Sequence, residues 1–277
     1  MVGIICALYD ESVEITRQLK FVKIEGIAQY SGTISNVQVS LFLTGPGIKK
    51  RSALVKWLRQ HKFQHIINLG LAGALKKEAE VGESGVAGEV YYYLNGKENF
   101  RQRLDSGEKE GEKQSKKQEK NQKTVNLNNT KNEIVFQNIN KRWKLLTVDQ
   151  PIFSVEDKEH LLFQTGCDIV DMEGARLCQI LTDNSVDSEN NNNNIDKNIL
   201  NLPLTILKVI GDTYDDEKYL VKEQYMRSFF STFSFFKKIN IIFQTGFSFI
   251  LLYHKKKKLQ KKLLYQLKKY LENRYGV

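Results

Sequence analysis

The sequence predicts an α/β protein, and three observations carry that prediction. Short apolar runs end in glycine-containing turns, the stretches after them show helical spacing, and the order strand, loop, helix, strand implies a sheet with helices packed on it. Of 277 residues, 41% are hydrophobic and 10% aromatic, with only 3 prolines and 18 glycines, so the chain can fill a core and a disordered or collagen-like chain is excluded. A single domain, 1–277, interrupted by insertions, accounts for the length.

Taken in order, Val2 to Leu8 reads as a strand, and Asp10 opens a helix through Glu11, Val13, Ile15 and Leu19. The β-rich runs at 27–34 and 37–43, joined at Ser35 and Asn36, suit a hairpin. The glycine loop 45–47 leads into a basic amphipathic segment, Ile48 to His61, and 65–75 is a buried strand running into a second glycine turn. Gly88 to Leu94 adds a tyrosine-rich strand. Residues 96–134 are so dominated by Lys, Glu, Gln, Asn and Ser that they are expected to be a disordered insertion. Trp143 to Val148 resumes the sheet, followed by a helix at 155–164, a strand at 168–172 and a helix at 174–181. The asparagine-rich stretch 183–198 reads as a loop insertion before the strand 204–210. A basic helical extension occupies 239–277, where Leu259, Leu263, Leu267 and Leu271 recur every four residues. That stripe either packs on the protein body or a second subunit, or attaches reversibly to an anionic membrane.

The formal charge of +10 raises affinity for polyanions wherever cations cluster, but no aromatic-interleaved nucleic-acid module accompanies the lysines, and no nucleic-acid partner is expected. Cys6, Cys167 and Cys178 are odd in number and form no CxxC pair, which suits a reducing compartment. The start lacks the features of a signal peptide, and Ile239 to Tyr253 falls short of the roughly 20 residues of a membrane span; a cytoplasmic location is expected. His61 and His65 have metal-like spacing only on a continuous helix, and the second begins a strand. Asp215, Asp216 and Glu217 read as a helix start outside any EF-hand spacing, and no metal or cofactor is expected.

Candidate chemistry gathers where strands stop: Asp10 and Glu11, the glycine loops 45–47 and 70–73, 170–174, and Gly211 with Asp212. In open α/β sheets, ligands bind outside the carboxyl ends of strands, so these residues converge on one crevice. From the residues alone, alternatives stay open. Asp212 could cap a following helix, Glu11 could stabilise a helix amino terminus, and Asp171 and Glu173 could simply face solvent on a half-buried strand.

The motifs GIICALYDE (3–11), TGPGIKK (44–50), INLGLAGAL (67–75), VG (81–82), VDMEGA (170–175) and ILKVIGD (206–212) resemble, in this order, the nucleoside phosphorylase and nucleosidase superfamily. They are most similar to its methylthioadenosine/S-adenosylhomocysteine nucleosidase branch, and the resemblance covers most of the chain outside the insertions. It implies a three-layer α/β/α sandwich around a mixed central sheet, a homodimer, and cleavage of an adenine nucleoside by water without metal or cofactor. It implies catalytic roles for Asp212, as the acid at purine N7, and for Glu11, which helps activate water. A desolvated cleft would keep the acid protonated. It places Glu173 on the sugar hydroxyls and Met172 against the sugar, with Asp171 beside them, an aromatic (Phe153) against the purine, and Gly47 and Gly73 where backbone approaches substrate. Leu71 stands where serine is common, Lys208 where arginine is, and Gly211 where serine is frequent. Leu71 cannot donate to phosphate, which favours hydrolysis over phosphorolysis. The further alternatives are an adenosylated-lipid nucleosidase, from similarity to the hopanoid-associated branch, and a non-catalytic nucleoside- or polyanion-binding homologue.

Overall fold

Strands and helices alternate in the order β1 (Val2–Cys6), α1 (Tyr9–Thr16), β2 (Lys20–Ile24), β3 (Ile27–Ile34), β4 (Val37–Leu43), a 3-10 turn (Pro46–Ile48), α2 (Arg51–Gln60), β5 (His65–Ala74), β6 (Ser84–Leu94) and β7 (Lys97–Arg103). They continue as β8 (Arg142–Thr147), α3 (Val155–Thr165), β9 (Ile169–Asp171), α4 (Gly174–Thr182), β10 (Leu204–Asp212) and α5 (Phe235–Tyr275). This computed structural model describes residues 1–94, 97–103, 141–152, 154–182, 202–213 and 235–277, with backbone alone at 94, 97–103 and 235–253.

One mixed sheet runs β10-β6-β8-β9-β5-β1-β4-β3-β2, with β7 beside β6. β10 also pairs with β5, so β5, β10, β6, β8 and β9 close into a ring and the remaining strands extend from it. The expected open sheet is therefore partly closed, and the carboxyl ends of β5 and β10 lie side by side, with Asp212 opposite Gly73.

Alternate residues of the central strands divide between two cores, which makes three layers. Ile5, Ile66, Ile206 and Ile210 pack with Leu54, Trp57 and Leu58 of α2 and Leu177, Cys178 and Leu181 of α4. Val2, Ile4, Ile67, Leu69, Leu207 and Val209 pack with Ile15 of α1 and with α5. Gly3 is small for a reason: a Cβ there would sit 2.6 Å from Ile66 Cδ1 and 3.1 Å from Trp57. The three cysteines are free and buried.

The stripe of α5 docks on the body, with Leu259 at 7% exposure and Leu263, Leu267 and Leu271 at 0%. Tyr270 OH pairs with Thr205 Oγ1 at 2.7 Å, and Thr205 Oγ1 with His65 Nε2 at 2.9 Å. The face a membrane-bound helix would insert is already covered. Among the described residues no helix is long and apolar enough to cross a membrane.

Two edge strands depart from the sequence expectation. β2 carries Lys20 and Lys23 and is mostly exposed, so its hydropathy hid it. Residues 97–103, expected to belong to a disordered insertion, pair with β6 in antiparallel register from Glu89↔Arg103 to Leu94↔Lys97. An edge strand is held by main-chain hydrogen bonds, which polar side chains do not prevent. The rest of 96–134, the asparagine-rich 183–198, Phe153 and the acidic run 215–217 lie outside the described residues.

Candidate active site

Glu11 occupies the third position of α1, where the helix start leaves main-chain donors unpaired. Its carboxylate accepts from the N–H of Leu8 at 3.3 Å, closing its own helix, and from the N–H of Leu71 at 3.2 Å, reaching the end of β5. The helix-stabilising reading is thus true of it, and the same carboxylate reaches across to the end of β5. Leu71 contributes through its main chain, which any side chain would allow.

Glycine at position 70 keeps the space above β5 open. A Cβ there would lie 3.5 Å from both Glu11 Oε2 and Lys208 Nζ, so a carboxylate and an ammonium converge over this residue. Lys208 pairs with Asp171 at 2.8 Å, with side-chain exposures of 1% and 0%. Burial works against the Lys208 ammonium, but Asp171, Glu173 and Glu11 around it hold its pKa above the ordinary lysine value. Burial raises the pKa of Glu11, against the pull of Lys208 and the two N–H groups.

Asp171 is fully engaged. It accepts from Thr147 Oγ1 at 2.7 Å, from the N–H of Gly174 at 3.0 and 3.2 Å, and from Lys208. The structure uses it to cap α4 and to neutralise Lys208, and its side chain is closed off from any ligand. The expected contact of Asp171 with substrate is corrected accordingly. The expectation that it faces solvent fails as well.

Glu173 accepts from the N–H of Gly47 at 2.8 Å. Burial and the neighbouring Asp171 carboxylate push its pKa up to about 7. Arg176, one turn further along α4, donates to the carbonyl of Gly47 at 2.6 Å and also pairs with Asp149, which accepts from Tyr92 OH. Both main-chain groups of Gly47 are thereby tied to α4. Gly47 has φ +60°, and a Cβ there would lie 2.8 Å from Arg176 Nη1, so a side chain at this position is strained and would displace Arg176. Met172 is half-buried beside Glu173, with its carbonyl oxygen 3.9 Å from the same Cβ position.

At the other end, a Cβ on Gly73 would lie 3.2 Å from each Asp212 oxygen and from Val170 Cγ1. The glycine makes room for the carboxylate. Lys158 Nζ donates to Asp212 Oδ2 at 2.9 Å and to the carbonyl of Thr213 at 2.7 Å. The expectation of a protonated Asp212 in a desolvated cleft meets a buried ammonium instead, and an adjacent cation favours the carboxylate form.

The structure thus brings Glu11, Glu173 and Lys208 together near Gly47 and Gly70, and sets Asp212 with Gly73 at the end of the β5–β10 ladder. Lys158, Arg176, Asp149 and Tyr92 were missed. Lys158 left one trace in the sequence: it shares a helix face, three residues apart, with Leu161, and these two are the buried residues of α3. His61 and His65 are not a pair, since the first meets Gln29 and the second Thr205.

The profile of the phosphorylase superfamily matches residues 1–187. A 5′-methylthioadenosine/S-adenosylhomocysteine nucleosidase of Maridesulfovibrio salexigens is 36% identical over 97 residues, 33% of this chain. That match spans 42% of the relative's length. Among solved structures, a nucleosidase of the same description from Neisseria meningitidis, in complex with methylthio-immucillin-A, superposes with TM-score 0.60 at 16% identity over 98% of each chain. The native futalosine hydrolase of Helicobacter pylori superposes with TM-score 0.57 at 16% identity, over 99% of this chain and 97% of the other. At such identities these likenesses speak to the fold.

Proposed function

The chain belongs to the phosphorylase superfamily, and from that premise we propose that it is a purine nucleosidase, using water to cleave the N-glycosidic bond of an adenine nucleoside such as 5′-methylthioadenosine or S-adenosylhomocysteine. The observation that carries this reading is the gathering of Glu11, Glu173 and Lys208 at one end of the site, with Asp212 set apart at the end of β10.

Breaking the bond leaves positive charge on the sugar and negative charge on the purine. Glu173, buried at the amino end of α4, would accept hydrogen bonds from sugar hydroxyls and stabilise the ring as its charge grows. Glu11, whose pKa burial raises, is a stronger base than an exposed glutamate and would take a proton from the attacking water. Asp212 would supply the proton that the departing purine needs at N7. Met172 would pack against the sugar, Gly47 and Gly73 let main chain and carboxylate approach the ligand, and Asp171 holds Lys208 and α4 in place. A role for Phe153 against the base rests on the resemblance.

Phosphorolysis is the second reading, and one observation weighs against it. Lys208, the cation at the sugar end, is already neutralised by Asp171, and Leu71 offers only its main chain there. An incoming phosphate would meet carboxylates. A homodimer belongs to the proposal through the family resemblance, and a cytoplasmic location through the unpaired cysteines. Purified protein incubated with 5′-methylthioadenosine, S-adenosylhomocysteine and adenosine, with and without phosphate, tests the reading by chromatography. Free adenine and the intact sugar, which keeps its 5′ substituent (5-methylthioribose from 5′-methylthioadenosine), are expected without added phosphate; a requirement for phosphate with the corresponding sugar 1-phosphate as product would transfer the assignment to a phosphorylase.

A further inference from the structure

Lys158 is one of the least accessible side chains in the protein, yet it carries a charge. Its side chain is 1% exposed and that of Asp212 is 21% exposed, so the ammonium meets the carboxylate from the protein interior while part of the carboxylate remains open. A buried ammonium is costly unless paired and hydrogen-bonded, and two of its three N–H groups are spent on Asp212 and on the carbonyl of Thr213. Both acceptors lie at the end of one strand, so a single side chain fixes the acidic residue and the backbone that follows it.

Around the pair, β5 presents Gly73, whose Cβ position lies 3.2 Å from both Asp212 oxygens and from Val170 of β9, and α3 presents Lys158. Glu11, Glu173, Asp171 and Lys208 gather over Gly47 and Gly70 instead.

We propose that Lys158 is a positioning residue that makes Asp212 a stronger acid towards the departing base. The inference rests on the nucleosidase reading. In the step concerned, the Asp212 carboxyl O–H passes its proton to purine N7, the electron pair of the glycosidic bond goes to the purine, and water adds at the sugar carbon while losing a proton to Glu11. Asp212 is left as a carboxylate against the Lys158 ammonium, which stabilises it as it forms. The same ammonium makes the protonated form scarcer at high pH, so catalytic strength is gained by confining activity to lower pH.

The test is the pH profile of kcat/KM for 5′-methylthioadenosine in wild type, Lys158→Met and Lys158→Arg, each checked for folding by circular dichroism and thermal melting. In Lys158→Met the low-pH plateau should fall, by up to about tenfold for each pH unit that the alkaline limb moves up, and that limb should move up by about one pH unit or more, the usual effect of an opposite charge at this range. Lys158→Arg should return the limb towards the wild-type position. A merely structural role would lower the plateau without moving the limb, and that result overturns the proposal. An activity-independent arm follows the Asp212 carboxyl carbon by 13C NMR in the full chain, identified by its loss in Asp212→Asn. Titration at the same pH in wild type and Lys158→Met refutes the pairing even if no nucleoside is cleaved, whereas absence of cleavage by wild type with a shifted titration removes the nucleosidase reading and the acid role together.

Discussion

Replacing Glu173 by glutamine should stabilise the protein at alkaline pH while impairing its chemistry. Glu173 is 7% exposed, and burial beside the Asp171 carboxylate raises its pKa from the usual 4.5 to about 7. Between those pH values the folded chain holds a proton that the unfolded chain has lost, so its stability falls as pH rises through that window. At about 1.4 kcal/mol per pH unit the full cost is about 3 kcal/mol, present above pH 7 and absent below about 4.5. Glutamine keeps an oxygen for the N–H of Gly47, 2.8 Å away, and never ionises. Part of the gain is lost because its amide N–H groups need partners, so about 1–3 kcal/mol should appear at pH 8, or roughly 3–10 °C in melting temperature. Thermal melts of both proteins at pH 5 and pH 8 measure it. The difference should shrink towards zero at pH 5, where Glu173 is mostly neutral in the folded wild type. A variant that melts below wild type at pH 8, or a gain equal at both pH values, would refute the reasoning.

Asp212→Asn should lower base release by about 100- to 10,000-fold. It should also cost about 1–3 kcal/mol of stability, because Lys158, at 1% exposure, loses its counter-ion. Steady-state kinetics with a urea melt reads both effects, and wild-type turnover would remove Asp212 from the mechanism. Glu11→Gln should lower kcat by about 100-fold or more with little change in KM, since the base is lost while an amide oxygen can still accept from Leu8 or Leu71; loss of substrate binding in titration calorimetry would contradict that division. Gly47→Ala should raise KM and lower the melting temperature, because a side chain at φ +60° costs about 1–2 kcal/mol and its Cβ would meet Arg176 at 2.8 Å. Unaltered KM and melting temperature would show that this loop is not held as described.

What the sequence discloses here depends on how far an interaction reaches along the chain. Glu11, Glu173 and Asp212 stand where apolar runs stop, so strand periodicity is enough to place each of them at the end of a strand. Their partners were hidden. Lys158 meets Asp212 across 54 residues and Arg176 meets Gly47 across 129, and no local pattern encodes such pairings. Asp171 was misread because alternation on a half-buried strand predicts an exposed side chain, whereas the strand ends there and its carboxylate turns to cap α4. The docking of α5 was legible as a four-residue leucine interval, but which surface would receive it was not. β2 and β7 escaped notice because edge strands are held by main-chain bonds and need little hydropathy.

The distribution of charge argues for the same chemistry from another direction. At the sugar end, three carboxylates, Glu11, Asp171 and Glu173, surround one ammonium, Lys208, so with all groups ionised the cluster is negative by two. At the base end, Asp212 and Lys158 cancel. A negative cluster stabilises cationic character in the sugar ring and repels an incoming phosphate, while a protonated Asp212 that gives its proton to the purine becomes a carboxylate that Lys158 neutralises. Exchanging the two arrangements would harm both halves of the reaction. An uncompensated lysine beside the sugar would oppose the developing cation, and an unpaired Asp212 would be a weaker acid for the departing base. On the proposed reading this asymmetry suits water-driven cleavage of a purine nucleoside, and it rests on two buried lysines that sit on different elements, one in β10 and one in α3.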